Sequence, residues 1–422
     1  MDARYDVAVV GASLAGCSAA TLLGRRGLSV ALIERKADPD AYKRTCTHFI
    51  QPSAGPAIER LGLAEEIEAA GGVRGGIEVF TRWGWIRDPV GKYDGYPSRG
   101  YNIRRQTLDP MLRRLAAGTP GVELMQGWSA RALTSDGGRT TGVVVEDRGG
   151  ERKEIGATLV VGADGRDSRI ARLAGLREKA KPHGRFIYFA HYRDLPLATG
   201  GSSQMWMLEP DVAYAFPNDG GVTVLACMPA KEKLSAFKGD LEGNFEHFFE
   251  GLPLAPPVAS ASRVAKVMGK LEMPNVSRET VGPGVSLVGD AALATDPLWG
   301  VGCGWALQSA EWLADSTADA LLGNGDLDRA LASYRRKHRR ALAGHHLLIS
   351  DFASGRSYNA VERLMFSAAA RDPEMARHFF LFGGRHVGVA RFLAPGALVR
   401  ALRVNARWLR NAATGREARA AS

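Results

Sequence analysis

The chain is poor in cysteine, with only Cys17, Cys46, Cys227 and Cys303 among 422 residues. They are far apart and none has metal-ligand spacing, so neither a disulfide framework nor a metal site is expected. Long apolar runs are missing as well. No stretch approaches the ~18 uninterrupted apolar residues of a membrane span, and Asp2 and Asp6 sit where a signal peptide needs positive charge. The expectation is a soluble protein in a reducing compartment, the cytoplasm. Internal repeats, low-complexity tracts and nucleic-acid-binding modules are absent. Acid is in deficit, giving a net charge of 55 − 45 = +10, carried mostly by dispersed arginines. That balance favours anionic cofactors or acidic substrates and argues against nucleic acid.

What is present is a strand, a small-residue turn, a helix and a second strand over Tyr5 to Glu34. Val7 to Val10 suits a buried parallel strand. Gly11-Ala12-Ser13-Leu14-Ala15-Gly16 follows at once and opens a helix that Gly27 ends. Gly11 permits the tight turn, small Ser13 lets backbone approach a pyrophosphate, and Gly16 lets helix and strand pack closely. The helix N-terminus offers free N–H groups to the phosphates. Glu34, followed by Arg35, ends the second strand where an acid accepts from a ribose hydroxyl. This is a dinucleotide site, and no second strand–GxGxxG–helix unit follows it.

Further along, Pro52 to Leu63 reads as a short helix closed by Gly62, and RQTLDPMLRRLA as a helix beginning near Thr107–Asp109. Segments 76–101 and 180–275 are aromatic, alternating and cut by Gly and Pro, which is antiparallel β chemistry. Residues 326–422 read as helical. Within them YRRKHRRALAGHH is taken as a solvated basic face, with adjacent His345 and His346 pointing apart. The basic amphipathic stretch VARFLAPGALVRALRVNARWLR is expected to dock on the protein rather than lie on a membrane, and the tail from Asn411 to fray.

GADGRDSRIAR (162–172) and VSLVGDAA (285–292) follow the first motif in a fixed order across some 300 residues. Together the three motifs resemble those of the FAD-dependent aromatic hydroxylases, single-component monooxygenases of the p-hydroxybenzoate hydroxylase fold. The wider superfamily includes geranylgeranyl reductases and flavin halogenases. The resemblance implies an α/β chain: a Rossmann-like FAD-binding domain (1–75, 102–179, 276–325), an inserted antiparallel sheet for the substrate (76–101, 180–275) and a C-terminal helical region (326–422). It implies FAD held by Gly11, Ser13, Leu14, Ala15, Gly16, Glu34, Arg35, Arg44, Arg105, Ala130, Asp164, Gly165 and Asp290. The loop residues Pro297, Gly300, Val301 and Gly302 complete that set, their helix N-terminus facing the flavin's pyrimidine edge. NAD(P)H is implied as a transient reductant.

The implied reaction is monooxygenation with O2, through a flavin C4a-hydroperoxide, of a hydrophobic, aromatic or polyketide-like small molecule. Pocket-wall candidates are Tyr188, Trp206, Tyr214, Phe216 and Trp299; no side chain stands out as general base. Departures point toward other branches. Leu293 follows GDAA where hydroxylases carry histidine, Gly304 and Ser309 replace their asparagine and aspartate, and Cys46 falls near a cysteine typical of prenyl reductases. The halogenase Trp-x-Trp-x-Ile-Pro motif is absent. Rival readings are therefore a reductase of prenyl or polyene double bonds and a non-catalytic FAD-binding protein. Substrate identity, choice of nicotinamide and oligomeric state stay open at this point.

Overall fold

The computed structural model describes residues 4–87 and 99–414. The stretch 88–98 of the segment read as antiparallel β, and the tail from 415, lie outside the described residues. Strand β1 (Arg4–Val10), helix α1 (Leu14–Gly24) and strand β2 (Val30–Glu34) form the expected unit. β1 lies at the centre of a parallel array, between β2 and Arg152–Gly162; Val122–Gln126 and Val285–Leu287 extend it on either side. A hairpin, Ser129–Asp136 with Arg139–Glu146, pairs antiparallel to Arg152–Gly162. α1 is buried along its whole length, packed against the helix Val301–Leu321 and the strands below. An all-round apolar helix of Ala, Leu and Gly makes sense only there.

A second sheet stands over this layer, in the order Ser262–Arg263, Ile187–Arg193, Val222–Met228, Val212–Asn218, Ser203–Met207, Ile77–Thr81, Gly84–Ile86. Its neighbours are antiparallel, except that Ser203–Met207 runs parallel to Ile77–Thr81. Both faces are apolar. Phe189, Met205, Met207, Tyr214, Phe216 and Ala226 share one face with Phe49, Leu298 and Trp305 and with the C-terminal helices. Tyr192, Trp206, Ala213 and Cys227 point the other way, under Phe237, Phe245 and Phe249. A sheet covered on both sides loses the clean alternation that would show which face holds the ligand.

The helix read from Thr107–Asp109 begins instead at Arg105 and runs to Ala117. Its first N–H groups find a partner from another segment, because Arg105 N–H donates to His48 Nδ1 at 3.0 Å. Pro395–Ala413 packs Ala401 and Val404 against the helix Ala360–Ala369. No helix among the described residues is long and apolar enough to cross a membrane.

The helix Leu327–Phe352 exposes Arg335, Arg336, Arg339 and Arg340 but buries His338, His345 and His346. The adjacent pair does diverge: His345 stacks on Phe382 at 4.9 Å and His346 approaches the Trp305 ring at 6.3 Å. Burial pushes all three imidazoles down to about 4. Folded, they stay neutral where the unfolded chain protonates near its ordinary 6.5, so unfolding takes up protons between pH 6.5 and 4. Stability is then expected to fall as pH drops through that window, by about 1.4 kcal/mol per pH unit for each fully neutral histidine. Thermal unfolding between pH 7 and 5 checks this; a flat melting temperature would show the histidines titrating freely.

Candidate active site

The two sheets and the helix Val301–Leu321 enclose a cleft of about 790 Å³. Its floor is the turn after β1. Gly11 has φ +109°, and a Cβ there would stand 2.5 Å from Ala163 O; one on Gly16 would stand 1.7 Å from Gly11 O. The turn, the start of α1 and the backbone at Ala163 therefore pack more closely on one another beneath the cleft than any side chain would permit. Ser13 Oγ accepts from Arg105 Nη2 at 2.5 Å, so the serine in the glycine position has a fixed partner. Glu34 accepts N–H groups from Ala12 (2.9 Å) and Lys36 (3.0 Å), which orients its carboxylate at the end of β2.

Cations ring this floor. Arg105 is buried and paired with Asp109 at 2.6 Å. Arg113, two helical turns on, donates to the carbonyls of Ala12 (3.3 Å), Pro39 (2.7 Å) and Ala41. Sequence reasoning passed over Arg113, although its helical spacing from Arg105 was the available signal. Lys43 pairs with Asp290 at 2.8 Å. Burial works to raise the Asp290 carboxyl, but Lys43 and Arg166 outweigh it and hold it below the usual carboxylate range.

Most residues expected at the cofactor line this cleft: Gly11, Ser13, Leu14, Ala15, Glu34, Arg35, Arg105, Ala130, Asp164, Gly165, Asp290, Pro297, Gly300 and Gly302. Gly16 lies one layer beneath, against Gly11 and Ala163. Val301 turns to a neighbouring chamber. Arg44 requires correction: it is exposed and does not line the cleft, and its neighbour Lys43 stands there instead. Irregular loops have no period from which to choose between the two. Asp164 also has a structural task, accepting from Ser168 Oγ (2.5 Å) and from the N–H groups of Arg169 (2.6 Å) and Ile170 (3.0 Å).

The loop before Val301–Leu321 is anchored from behind. Asp296 is fully buried; it meets His183 Nε2 in a short contact, Arg185 Nη2 at 2.9 Å and Leu298 N–H at 2.6 Å. Burial would raise this carboxyl, yet Arg185 and His183 hold it well below the usual range. Trp299 and Gly300 then take successive left-handed conformations, φ 66° and 60°. Gln51 Nε2 ties the strained Trp299 carbonyl at 2.7 Å. At the start of the helix Cys303 Sγ lies 3.8 Å from Cys46 Sγ, within the cleft. The bond from Cys303 lowers the Cys46 thiol below its ordinary range, against burial, and raises that of Cys303.

Behind Leu298, Trp299 and Val301 lies an apolar chamber of about 200 Å³, lined by the C-terminal helices and Met207 of the second sheet. Of the aromatic wall candidates, Trp299 lines this chamber. Tyr214 and Phe216 share its side of the sheet but sit behind Phe49, on which Phe216 stacks at 5.5 Å. Tyr188 and Trp206 require correction. Register pairs Tyr188 with Cys227, Cys227 with Ala213, and Ala213 with Trp206, which puts both on the face away from the cleft.

Fold and site define a flavoprotein oxidoreductase. Residues 4–233 match the model described as the FAD binding domain, and the chain belongs to that family of FAD-dependent enzymes. It is 30% identical over 349 residues to digeranylgeranylglycerophospholipid reductase 1 of Methanopyrus kandleri, covering 80% of this chain and 85% of that one. In fold it is similar to the flavin-dependent brominase Bmp2, with TM-score 0.77, 20% identity and coverage of 96% and 99%. It is likewise similar to pqsL, described as a probable FAD-dependent monooxygenase from Pseudomonas aeruginosa, with TM-score 0.70, 19% identity and coverage of 89% and 99%. FAD is the cofactor. The glycine cradle closed to any Cβ, the oriented Glu34 carboxylate and the cationic rim fit a dinucleotide of that charge.

Proposed function

We propose that this FAD-dependent enzyme takes electrons from NAD(P)H and uses O2 to hydroxylate or epoxidise a compact hydrophobic molecule. Bound FAD supplies the electron transfer and the activation of oxygen. The chain supplies position, charge and dryness. The N-terminus of α1 and Arg105 hold the pyrophosphate, Glu34 a ribose, and Asp290 a hydroxyl of the flavin side, with Lys43 fixing its ionised form. The N–H groups of Val301–Leu321 face the ring end of the cleft, where negative charge develops on reduction.

The observation that carries this reading is the apolar part of the cleft, which Phe49, Ile187, Phe189, Met273, Leu293 and Trp305 line. A site of that kind seats a hydrophobic substrate and keeps water from the reacting centre, which suits oxygen insertion. Purified FAD-loaded enzyme, NAD(P)H and candidate substrates are expected to consume one O2 per product and leave one labelled oxygen atom from labelled dioxygen in it. A saturated, unlabelled product would overturn this reading. It would support the second one, reduction of an isolated double bond. The Methanopyrus relative and the Cys46 thiol in the cleft favour that alternative.

A further inference from the structure

Gln51 is 2% exposed and lines neither the cleft nor the chamber, yet its amide joins three segments distant in the chain. Its Nε2 donates to Trp299 O and to Gly383 O, both at 2.7 Å. Its Oε1 accepts from Arg385 Nε, also at 2.7 Å. Carbonyls only accept and a guanidinium only donates, so the amide has one orientation that satisfies all three. Arg385 is fixed in turn by Ser53 Oγ at 3.2 Å and by Gln308 Oε1, while Gln308 Nε2 donates to Ser53 O at 2.7 Å.

Trp299 is the strained member of this set. Its φ of 66° is left-handed and Gly300 follows at 60°. A bulky residue keeps that conformation only where its surroundings impose it. Asp296 fixes the turn before it through the Leu298 N–H at 2.6 Å, and the Gly300 N–H turns back to Pro297 O at 2.8 Å. The indole packs on Phe379 at 5.3 Å and against Gly383, where a Cβ would stand 3.2 Å from the ring. The Trp299 carbonyl itself is held by Gln51. Gly300, next in the chain, lines the cleft, and the helix Val301–Leu321 starts directly after it. The first N–H groups of a helix have no acceptor within it, so they are free for whatever lies at that end. A carbonyl oxygen turned into the same space would oppose them. Because Gln51 stands outside the cleft, its bond keeps the Trp299 carbonyl turned away.

We propose that Gln51 is a positioning residue for the flavin, holding the Trp299 carbonyl out of the cleft and thereby raising the flavin's reduction potential. A hydride delivers two electrons and a proton, and the ring gains negative charge at the edge facing the helix N-terminus. N–H groups there favour the reduced form, and a carbonyl oxygen there disfavours it. The inference rests on the flavin ring lying at that helix end, which the oxygenation and double-bond reduction readings share. Gln51→Met keeps the length of the side chain and removes both donors. Reductive titration of the FAD-loaded variant beside a dye of known potential tests it. The equilibrium constant for reduction is expected to fall at least tenfold, which is about 30 mV for a two-electron couple. Gln308→Met is the control, because it breaks the same network at Ser53 and Arg385 without touching Trp299. It should lower the melting temperature and leave the potential unmoved. Should the methionine variant fail to fold, Gln51→Asn carries the test. Its amide is one methylene too short to reach all three partners, and a shift in the same direction is expected. An unmoved potential at full FAD content, an equal shift in the Gln308 variant, or loss of FAD from both Gln51 variants would overturn the inference. A lowered potential in an enzyme that takes up no oxygen would keep it and remove the oxygenation reading; coupled oxygenation with an unmoved potential would do the reverse.

Discussion

Asp296→Ala is expected to destabilise the protein by about 3–5 kcal/mol and to strip it of FAD. Asp296, His183 and Arg185 have fully buried side chains, and Arg185 donates to the carboxylate at 2.9 Å and to Pro210 O at 2.9 Å. Removing the carboxylate leaves a guanidinium in the interior with no anion, and that penalty exceeds what the pair contributes when intact. The same carboxylate holds the Leu298 N–H at 2.6 Å, at the entry to the left-handed turn of Trp299 and Gly300. Loss of the anchor therefore reaches the flavin end of the cleft. Denaturant unfolding and flavin content after gel filtration check both effects. The double variant Asp296→Leu/Arg185→Met should recover a good part of the stability, because it removes the stranded charge. A single-variant loss below about 1 kcal/mol would mean that water already solvates Arg185.

Gly16→Ala is expected to cost at least about 3 kcal/mol and to yield protein without flavin. The added methyl would lie 1.7 Å from Gly11 O and 3.2 Å from Ala163 Cβ, backbone and core that have nowhere to go. The turn would have to open, and the cradle for the phosphates with it. Gly302→Ala provides the contrast, because a Cβ there meets nothing within 4 Å. It should fold normally, although both glycines belong to motifs read as flavin-binding. Wild-type flavin content in the Gly16 variant would show the first turn of α1 to be looser than its packing indicates.

The sequence by itself determined the parts whose physics is local. Apolar β-branched residues before Gly11, small residues to Gly16 and an acid at Glu34 specify strand, turn, helix and strand within thirty-odd positions, because backbone freedom and helix dipoles act over a few residues. Three such stretches in order were enough to read the cofactor. Tertiary structure decided whatever depends on partners distant in the chain. It chose Lys43 over Arg44 at the cleft, since the loop carrying both has no repeat to mark its inner side. It turned Tyr188 and Trp206 away, since a sheet buried on both faces shows no polar alternation in its strands. It also paired His183 with Asp296, 113 residues apart, and Arg385 with Gln51, 334 apart. Buried polar groups must find partners wherever the fold supplies them, and that requirement leaves no mark in the neighbouring sequence.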